Sequence, residues 1–126
     1  MVNSPTRPKS RTLADERVFM PEFVTVAKVG AIAEGQGGTF AVGDRLVAVF
    51  NHGGTYHAID DLCPHMGASL GAGSMDEEGV VTCPWHAWHF RACDGTWCDN
   101  PRIKIDSFEV RVAGDEIQVS VEPRPR

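Results

Sequence analysis

The chain has 126 residues, with 17 acidic and 12 basic side chains and a formal net charge of −5. This length suffices for one domain whose hydrophobic core needs no disulfides. The acidic balance argues against nucleic acid or an anionic membrane as the main partner, because both require a basic face. No apolar run approaches the roughly 20 residues that span a bilayer. No secretory signal opens the sequence, so we expect a cytoplasmic, reducing compartment.

The predicted elements are short β-strands, in keeping with 13 Gly and 8 Pro residues. Residues 1–20 lack periodicity and predict a flexible tail, residues 21–122 form the predicted domain, and residues 123–126 predict a second tail. Apolar and β-branched residues predict strands within the domain. In chain order they cover residues 23–28, 38–42, 45–51, 55–60, 80–83, 89–93, 96–98, 108–112 and 117–121.

Hairpin turns are predicted wherever Gly, Asp or Asn residues separate two of these strands. They fall at Gly43-Asp44, at residues 52–54, at Asp94-Gly95 and at residues 113–116. Helical periodicity is absent throughout the sequence. The pattern therefore predicts an all-β fold, a sandwich of antiparallel sheets or a small barrel, with functional residues on loops at strand ends.

Two pairs of metal-ligand residues follow strands, Cys63-x-His65 and Cys83-x-x-His86, with seventeen residues between the pairs. Zinc accepts two Cys and two His, but its loop pairs are normally separated by about two to four residues, and C-x-H is tight for one tetrahedral ion. A [2Fe-2S] centre of mixed ligation takes one Cys and one His from each of two loops. The third interpretation, four unrelated side chains, is weakened by the second Pro-flanked pair. The pattern favours the cluster over zinc.

The motifs C-P-H-x-G at residues 63–67 and C-P-W-H-A-W at residues 83–88 resemble the two cluster-binding loops of the Rieske [2Fe-2S] family. The resemblance covers roughly residues 22–121. It implies a Rieske-type sandwich of antiparallel sheets with a two-loop cluster-binding subdomain, and one [2Fe-2S] cluster per chain. It also implies the ligands: the thiolates of Cys63 and Cys83 on the inner iron, and His65 and His86 on the outer iron, where the electron leaves.

Three positions differ from the high-potential respiratory members of that family. Ala68 and Trp85 stand where those proteins carry two cysteines that form a disulfide between the loops. Trp88 stands where they carry a serine that hydrogen bonds to a bridging sulfide. With fewer hydrogen bonds to sulfur, the negative charge of the reduced cluster is less stabilised, so the resemblance implies a midpoint potential near the bottom of the Rieske range, about −150 mV. It therefore points to the ferredoxin-like branch.

Other Cys and His residues are expected to have structural roles. His89 lies on the strand after the second motif and is predicted not to be a ligand. Cys93 and Cys98 flank the predicted turn at Asp94-Gly95, which would pair Cys93 with Thr96, so they are predicted to be free, partly buried thiols. The remaining histidines, His52 and His57, are expected to be solvated or packed side chains.

Aromatic, proline and acidic residues near the motifs have predicted roles as well. The tryptophans are expected to shield the cluster from water: Trp85, Trp88 and Trp97. The resemblance implies that Pro101 belongs to a loop that lies over the cluster. Asp60, Asp61 and the acidic run at residues 76–78 predict an acidic neighbourhood, which is either a solvated turn or a region that steers a basic partner.

The sequence shows no nucleophile–base arrangement, no phosphate loop and no open metal position. We therefore expect an electron-transfer component rather than a stand-alone enzyme. The leading hypothesis is a ferredoxin that passes single electrons from a reductase to an acceptor oxidoreductase such as a ring-hydroxylating dioxygenase. The alternative is the small subunit of an assimilatory NAD(P)H nitrite reductase, bound to its large chain. A zinc-stabilised binding module without a redox role is the third hypothesis.

Overall fold

The structure, a computed structural model, describes residues 22–63, 68–84 and 88–125. These residues form eleven β-strands and one turn of 3₁₀ helix, Leu70–Ala72. The prediction of an all-β fold is confirmed, and all nine predicted strands are present. The strands are β1 (Phe23–Lys28), β2 (Gly37–Val42), β3 (Arg45–His52), β4 (Thr55–Asp60), β5 (Ser74–Met75), β6 (Val80–Thr82), β7 (His89–Arg91), β8 (Thr96–Trp97), β9 (Asn100–Lys104), β10 (Ser107–Ala113) and β11 (Glu116–Pro123).

Six of the described strands form an antiparallel sheet in the order β1-β11-β10-β4-β3-β2. The two edge strands, β1 and β2, contact each other, so the sheet curls into a nearly closed barrel. Gly53 and Gly54 connect β3 to β4 with φ angles of 63° and 91°, a conformation that a hairpin turn requires and glycine adopts without strain. An apolar core fills the barrel: Val42, Val47, Val49, Ala58, Phe108, Ile117 and Val119.

Strands β5 to β9 form a second, five-stranded antiparallel sheet within the described ranges, and a second core lies between it and the barrel. Strand β3 contributes to both cores, because Val47 and Val49 point into the barrel while Ala48 and Phe50 point toward the smaller sheet. A strand that is buried on both faces has no polar side to alternate with its apolar one. This explains the uninterrupted apolar sequence of β3.

The turn between β7 and β8 differs from the predicted turn at Asp94-Gly95. Phe90 pairs with Trp97, and the N–H of Gly95 donates to the carbonyl oxygen of Arg91 at 2.7 Å. The prediction that Cys93 pairs with Thr96 is therefore wrong, and Cys93 lies in the turn itself. The reason is that β7 ends two residues earlier than predicted, where Ala92 enters the second core and donates its N–H to the carbonyl oxygen of Gly79.

Pro101 lies in strand β9, at the edge of the smaller sheet, and not in a loop as predicted. An edge strand tolerates proline because one side of its backbone needs no ladder hydrogen bonds.

At the C-terminal end of the domain, β11 runs to Pro123, and the N–H of Arg124 donates to the carbonyl oxygen of Ser107. The division into one domain and two tails remains a prediction, and residues 1–21 lie outside the described ranges. No helix in the described part of the chain is long and apolar enough to cross a membrane.

Candidate metal centre

Each of the two Cys/His loops is closed by an equivalent backbone hydrogen bond, from its Cys to the residue five positions later. The N–H of Cys63 donates to the carbonyl oxygen of Ala68 at 2.9 Å, and the N–H of Cys83 donates to that of Trp88 at 2.7 Å. The residues just outside each loop form antiparallel pairs: Leu62 with Ser69, and Thr82 with His89. The unequal C-x-H and C-x-x-H motifs are therefore carried by two loops of equal length and equal closure.

Cys63 and Cys83 lie in one environment although they belong to different loops. Each is 1% exposed, and both belong to the core between the two sheets. Thiolates are the donors that iron–sulfur clusters take from proteins, and a buried pair from two loops fits such a group. The other two predicted ligands, His65 and His86, lie outside the described residues, so the four-residue ligand set remains a prediction.

The first loop is anchored by Asp61, which comes two residues before Cys63. Asp61 Oδ1 accepts hydrogen bonds from Thr39 Oγ1 at 2.9 Å, from Ser69 Oγ at 3.0 Å and from the N–H of Gly71 at 2.8 Å. The carboxylate is buried. A Cβ atom at Gly71 would collide with the Thr39 hydroxyl, so only glycine fits there. One carboxylate thus ties both ends of the first loop to strand β2.

Asp60 and Asp61 do not form the exposed acidic neighbourhood that the sequence suggested. Asp61 is buried as described, and Asp60 Oδ2 accepts a hydrogen bond from Arg45 Nη2 at 3.0 Å. The same Arg45 nitrogen lies 3.0 Å from Asp106 Oδ2, and the guanidinium lies over the Phe108 ring. Both carboxylates therefore have partners within the fold.

The acidic run at residues 76–78 is exposed, in the turn between β5 and β6. Asp76 Oδ1 accepts hydrogen bonds from the N–H groups of Val80 and Glu78, at 3.0 and 2.9 Å. These bonds, the one from Val80 foremost, lower the pKa of Asp76 below its ordinary value. Asp76 therefore shapes this turn.

His89 helps to fix the base of the second loop. It begins β7, as predicted, and its Nδ1 lies 3.0 Å from Thr82 Oγ1 on the neighbouring strand. Because Thr82 directly precedes Cys83, this contact joins the two strands that carry the loop. The absence of a ligand role for His89 remains a prediction.

Trp88 and Trp97 stack on each other beside the loops. Their ring centroids are 4.2 Å apart, and the ring planes differ by 10°. Both rings are half-buried and pack against the core that contains Cys63 and Cys83. Their role in shielding the cluster from water stays a prediction. Trp85 lies outside the described residues.

Cys93 and Cys98 are free thiols, as predicted. Both thiols are exposed, so the prediction of partial burial is wrong. The physical reason is the early turn after β7, which places Cys93 in the turn, while Cys98 follows the last residue of β8. Neither residue belongs to the core around Cys63 and Cys83.

The chain is similar to known electron-transfer proteins. It is 33% identical over 105 residues to the alkene monooxygenase system ferredoxin component of Xanthobacter autotrophicus, which covers 83% of this chain and 86% of that protein. A chain of the complex of reduced oxygenase and oxidized ferredoxin in carbazole 1,9a-dioxygenase superposes with a TM-score of 0.75 and 29% identity, over 82% of this chain and 97% of that one. A structure from Mycobacterium tuberculosis assigned as an NADH-dependent nitrite reductase small subunit gives a TM-score of 0.74 and 25% identity, over 79% and 95% of the two chains.

Residues 22–115 match the model of the Rieske [2Fe-2S] domain, a range that includes both loops. The buried thiol in each loop agrees with this match, because such clusters take one Cys from each of two loops. The match also decides for an iron–sulfur cluster over zinc. The chain belongs to the Rieske [2Fe-2S] domain family and is a ferredoxin-type electron-transfer protein whose cofactor is a Rieske-type [2Fe-2S] cluster.

Proposed function

We propose that this protein is the ferredoxin of an oxygenase system, which receives single electrons from a reductase and delivers them to the oxygenase, in the cytoplasm. The observation that carries the proposal is the pair of equally closed loops, each of which buries one thiol in the same core. Similarity to the ferredoxin component of an alkene monooxygenase system, over 86% of that protein, supports the same conclusion.

The bound cluster supplies reversible uptake and release of one electron. Cys63 and Cys83 would hold the inner iron from within the core, and His65 and His86 would hold the outer iron. In this arrangement the thiolates would occupy the buried side of the site and the imidazoles its outer side.

Side chains around the loops would keep the site rigid and dry. Asp61 fixes the ends of the first loop, and the Thr82–His89 contact fixes the base of the second. The stacked rings of Trp88 and Trp97 cover one side of the core that holds the thiols. A rigid, water-poor setting keeps the structural rearrangement that accompanies each electron transfer small.

Co-purification and electron delivery test the proposal together. The tagged protein, isolated from its host without oxygen, should elute alone and red-brown. After reduction it should be reoxidised on mixing with the oxygenase of the same system. Cys83→Ser is the matched variant, since loss of one inner-iron ligand should abolish cluster content and reoxidation together. A cluster-loaded protein that no oxygenase reoxidises would overturn the proposal.

The alternative is a permanent small subunit of an NAD(P)H nitrite reductase, favoured by the similarity to the Mycobacterium tuberculosis structure. The same purification separates the two functions. A subunit should elute as a stable complex with a large sirohaem-containing chain, and the complex should reduce nitrite. That result would replace the oxygenase ferredoxin as the conclusion.

A further inference from the structure

The indole N–H of Trp97 is a buried donor without an acceptor. Among the side-chain nitrogen and oxygen atoms of the described residues, Trp97 Nε1 is fully buried and forms no hydrogen bond. Burying an N–H group without a partner destabilises the fold, and native structures rarely leave such a group unpaired. The fold therefore provides a place for an acceptor beside Trp97.

The contacts of the Trp97 ring show which side of the sheet it occupies. Trp97 pairs with Phe90 across β7 and β8 and stacks on Trp88. Trp97 is also one of the residues that line a surface groove, together with Cys98 and Pro101. Nε1 has no exposed surface, so the N–H does not donate to bulk solvent in that groove. Paired residues of neighbouring strands point to the same face, so the Trp97 side chain lies on the side of Phe90, which is buried in the core between the two sheets.

The core against which Trp97 packs contains two sulfur atoms among its buried apolar residues. They are the thiols of Cys63 and Cys83. These thiols are the proposed ligands of the inner iron. A bound [2Fe-2S] cluster would bring the thiolates and its own sulfides, all electron-rich acceptors, into this core.

We propose that the Trp97 indole N–H donates a hydrogen bond to a sulfur atom of the bound cluster or of its thiolate ligands, and so sets its reduction potential. The inference rests on the proposed ligand role of Cys63 and Cys83. One added electron increases the negative charge on the sulfurs, so a donor to sulfur stabilises the reduced form more than the oxidised form. Trp97 is a positioning residue that raises the midpoint potential above the value the same cluster would have without it.

Trp97→Phe tests the proposal because phenylalanine keeps an aromatic ring for the stack and lacks the N–H. The variant should bind the same amount of iron and sulfide as the wild-type protein, and its midpoint potential should be lower. Loss of one such bond should change the oxidised-to-reduced ratio at fixed solution potential by up to about tenfold, which for one electron corresponds to about 59 mV. The control is Thr96→Val, next to Trp97 on β8. It removes the hydroxyl that donates to Asp94 and should leave the potential unchanged.

A second measurement detects the donated proton itself. The protein is unfolded in heavy water, so that the Trp97 indole N–H exchanges, and is then refolded, reloaded with the cluster and reduced. Pulsed electron–nuclear double resonance should show that the proton coupling of this N–H, present in the unexchanged protein, has disappeared. That coupling should be absent from Trp97→Phe. A loaded Trp97→Phe protein with the wild-type potential and the same exchangeable coupling would overturn the proposal. A wild-type chain that assembles no [2Fe-2S] cluster would overturn the proposed function instead, so the two failures are distinct.

Discussion

Ser69 Oγ donates a hydrogen bond of 3.0 Å to Asp61 Oδ1, and this bond joins the chain on the two sides of the first cluster-binding loop. Thr39 and Gly71 donate to the same oxygen, so one buried carboxylate organises three separate segments. The loop between them carries Cys63 into the core. Asp61 therefore links the barrel to the metal centre without being a ligand.

Replacing Asp61 by Ala should destabilise the protein strongly. Three donors would lose their charged acceptor, and we expect the free energy of unfolding to fall by about 3 kcal/mol, with a lower iron content after reconstitution. Urea denaturation and iron analysis measure the two effects. Asp115→Ala is the control, because its ion pair with Lys28 is exposed and should contribute less than about 1 kcal/mol. Equal stability of the two variants would contradict the role assigned to Asp61.

His57 should make the stability of the protein depend on pH. Burial foremost, with His52 and Arg124 nearby, lowers the pKa of His57 below its ordinary value. Protons then bind the unfolded chain more tightly than the folded one, so stability is fully present above about pH 6.5 and falls as the pH drops toward the lowered pKa. The melting temperature should rise from pH 5 to pH 7.5, and His57→Gln should show a smaller rise. An identical rise in both proteins would exclude this assignment.

The midpoint potential of the cluster should lie near the bottom of the Rieske range, at about −150 mV. Ala68 closes the first loop and has no thiol for a disulfide, and Trp88 closes the second and has no hydroxyl for a sulfide. The hydrogen bond proposed for Trp97 stabilises the reduced cluster, but it makes up for only part of what the missing disulfide and hydroxyl provide in the high-potential proteins. Redox titration followed by absorbance measures the potential. A value above about +100 mV would place the protein with the high-potential branch and refute the prediction.

Most of the fold followed from sequence patterns, and the exceptions have physical causes. Long alternating or apolar segments such as β3 carry enough residues to show their period. β5 has only two residues, and β9 contains Pro101 and lacks alternation, so neither has a local pattern to detect. The early turn after β7 depends on the burial of Ala92, a tertiary contact that no local pattern encodes.

The candidate site likewise has features that the sequence could predict and features that it could not. The Cys/His motifs are short and specific, so the sequence sufficed to predict the two loops and the cluster. The roles of Asp60 and Asp61 could not be predicted, because Arg45 and Thr39 lie 15 and 22 residues away along the chain. As a local pattern, two adjacent aspartates indicate only a charged turn.

Mixed Cys/His ligation of a [2Fe-2S] cluster is the central claim, and pulsed EPR of the reduced protein with ¹⁵N-labelled histidine tests it most directly. The wild-type protein should show strong nitrogen couplings from two histidines. His65→Cys should retain a cluster of lower potential with the coupling of one histidine, and His89→Gln should retain both couplings. A cluster without histidine nitrogen coupling, or a colourless protein that contains zinc and no iron, would contradict the account.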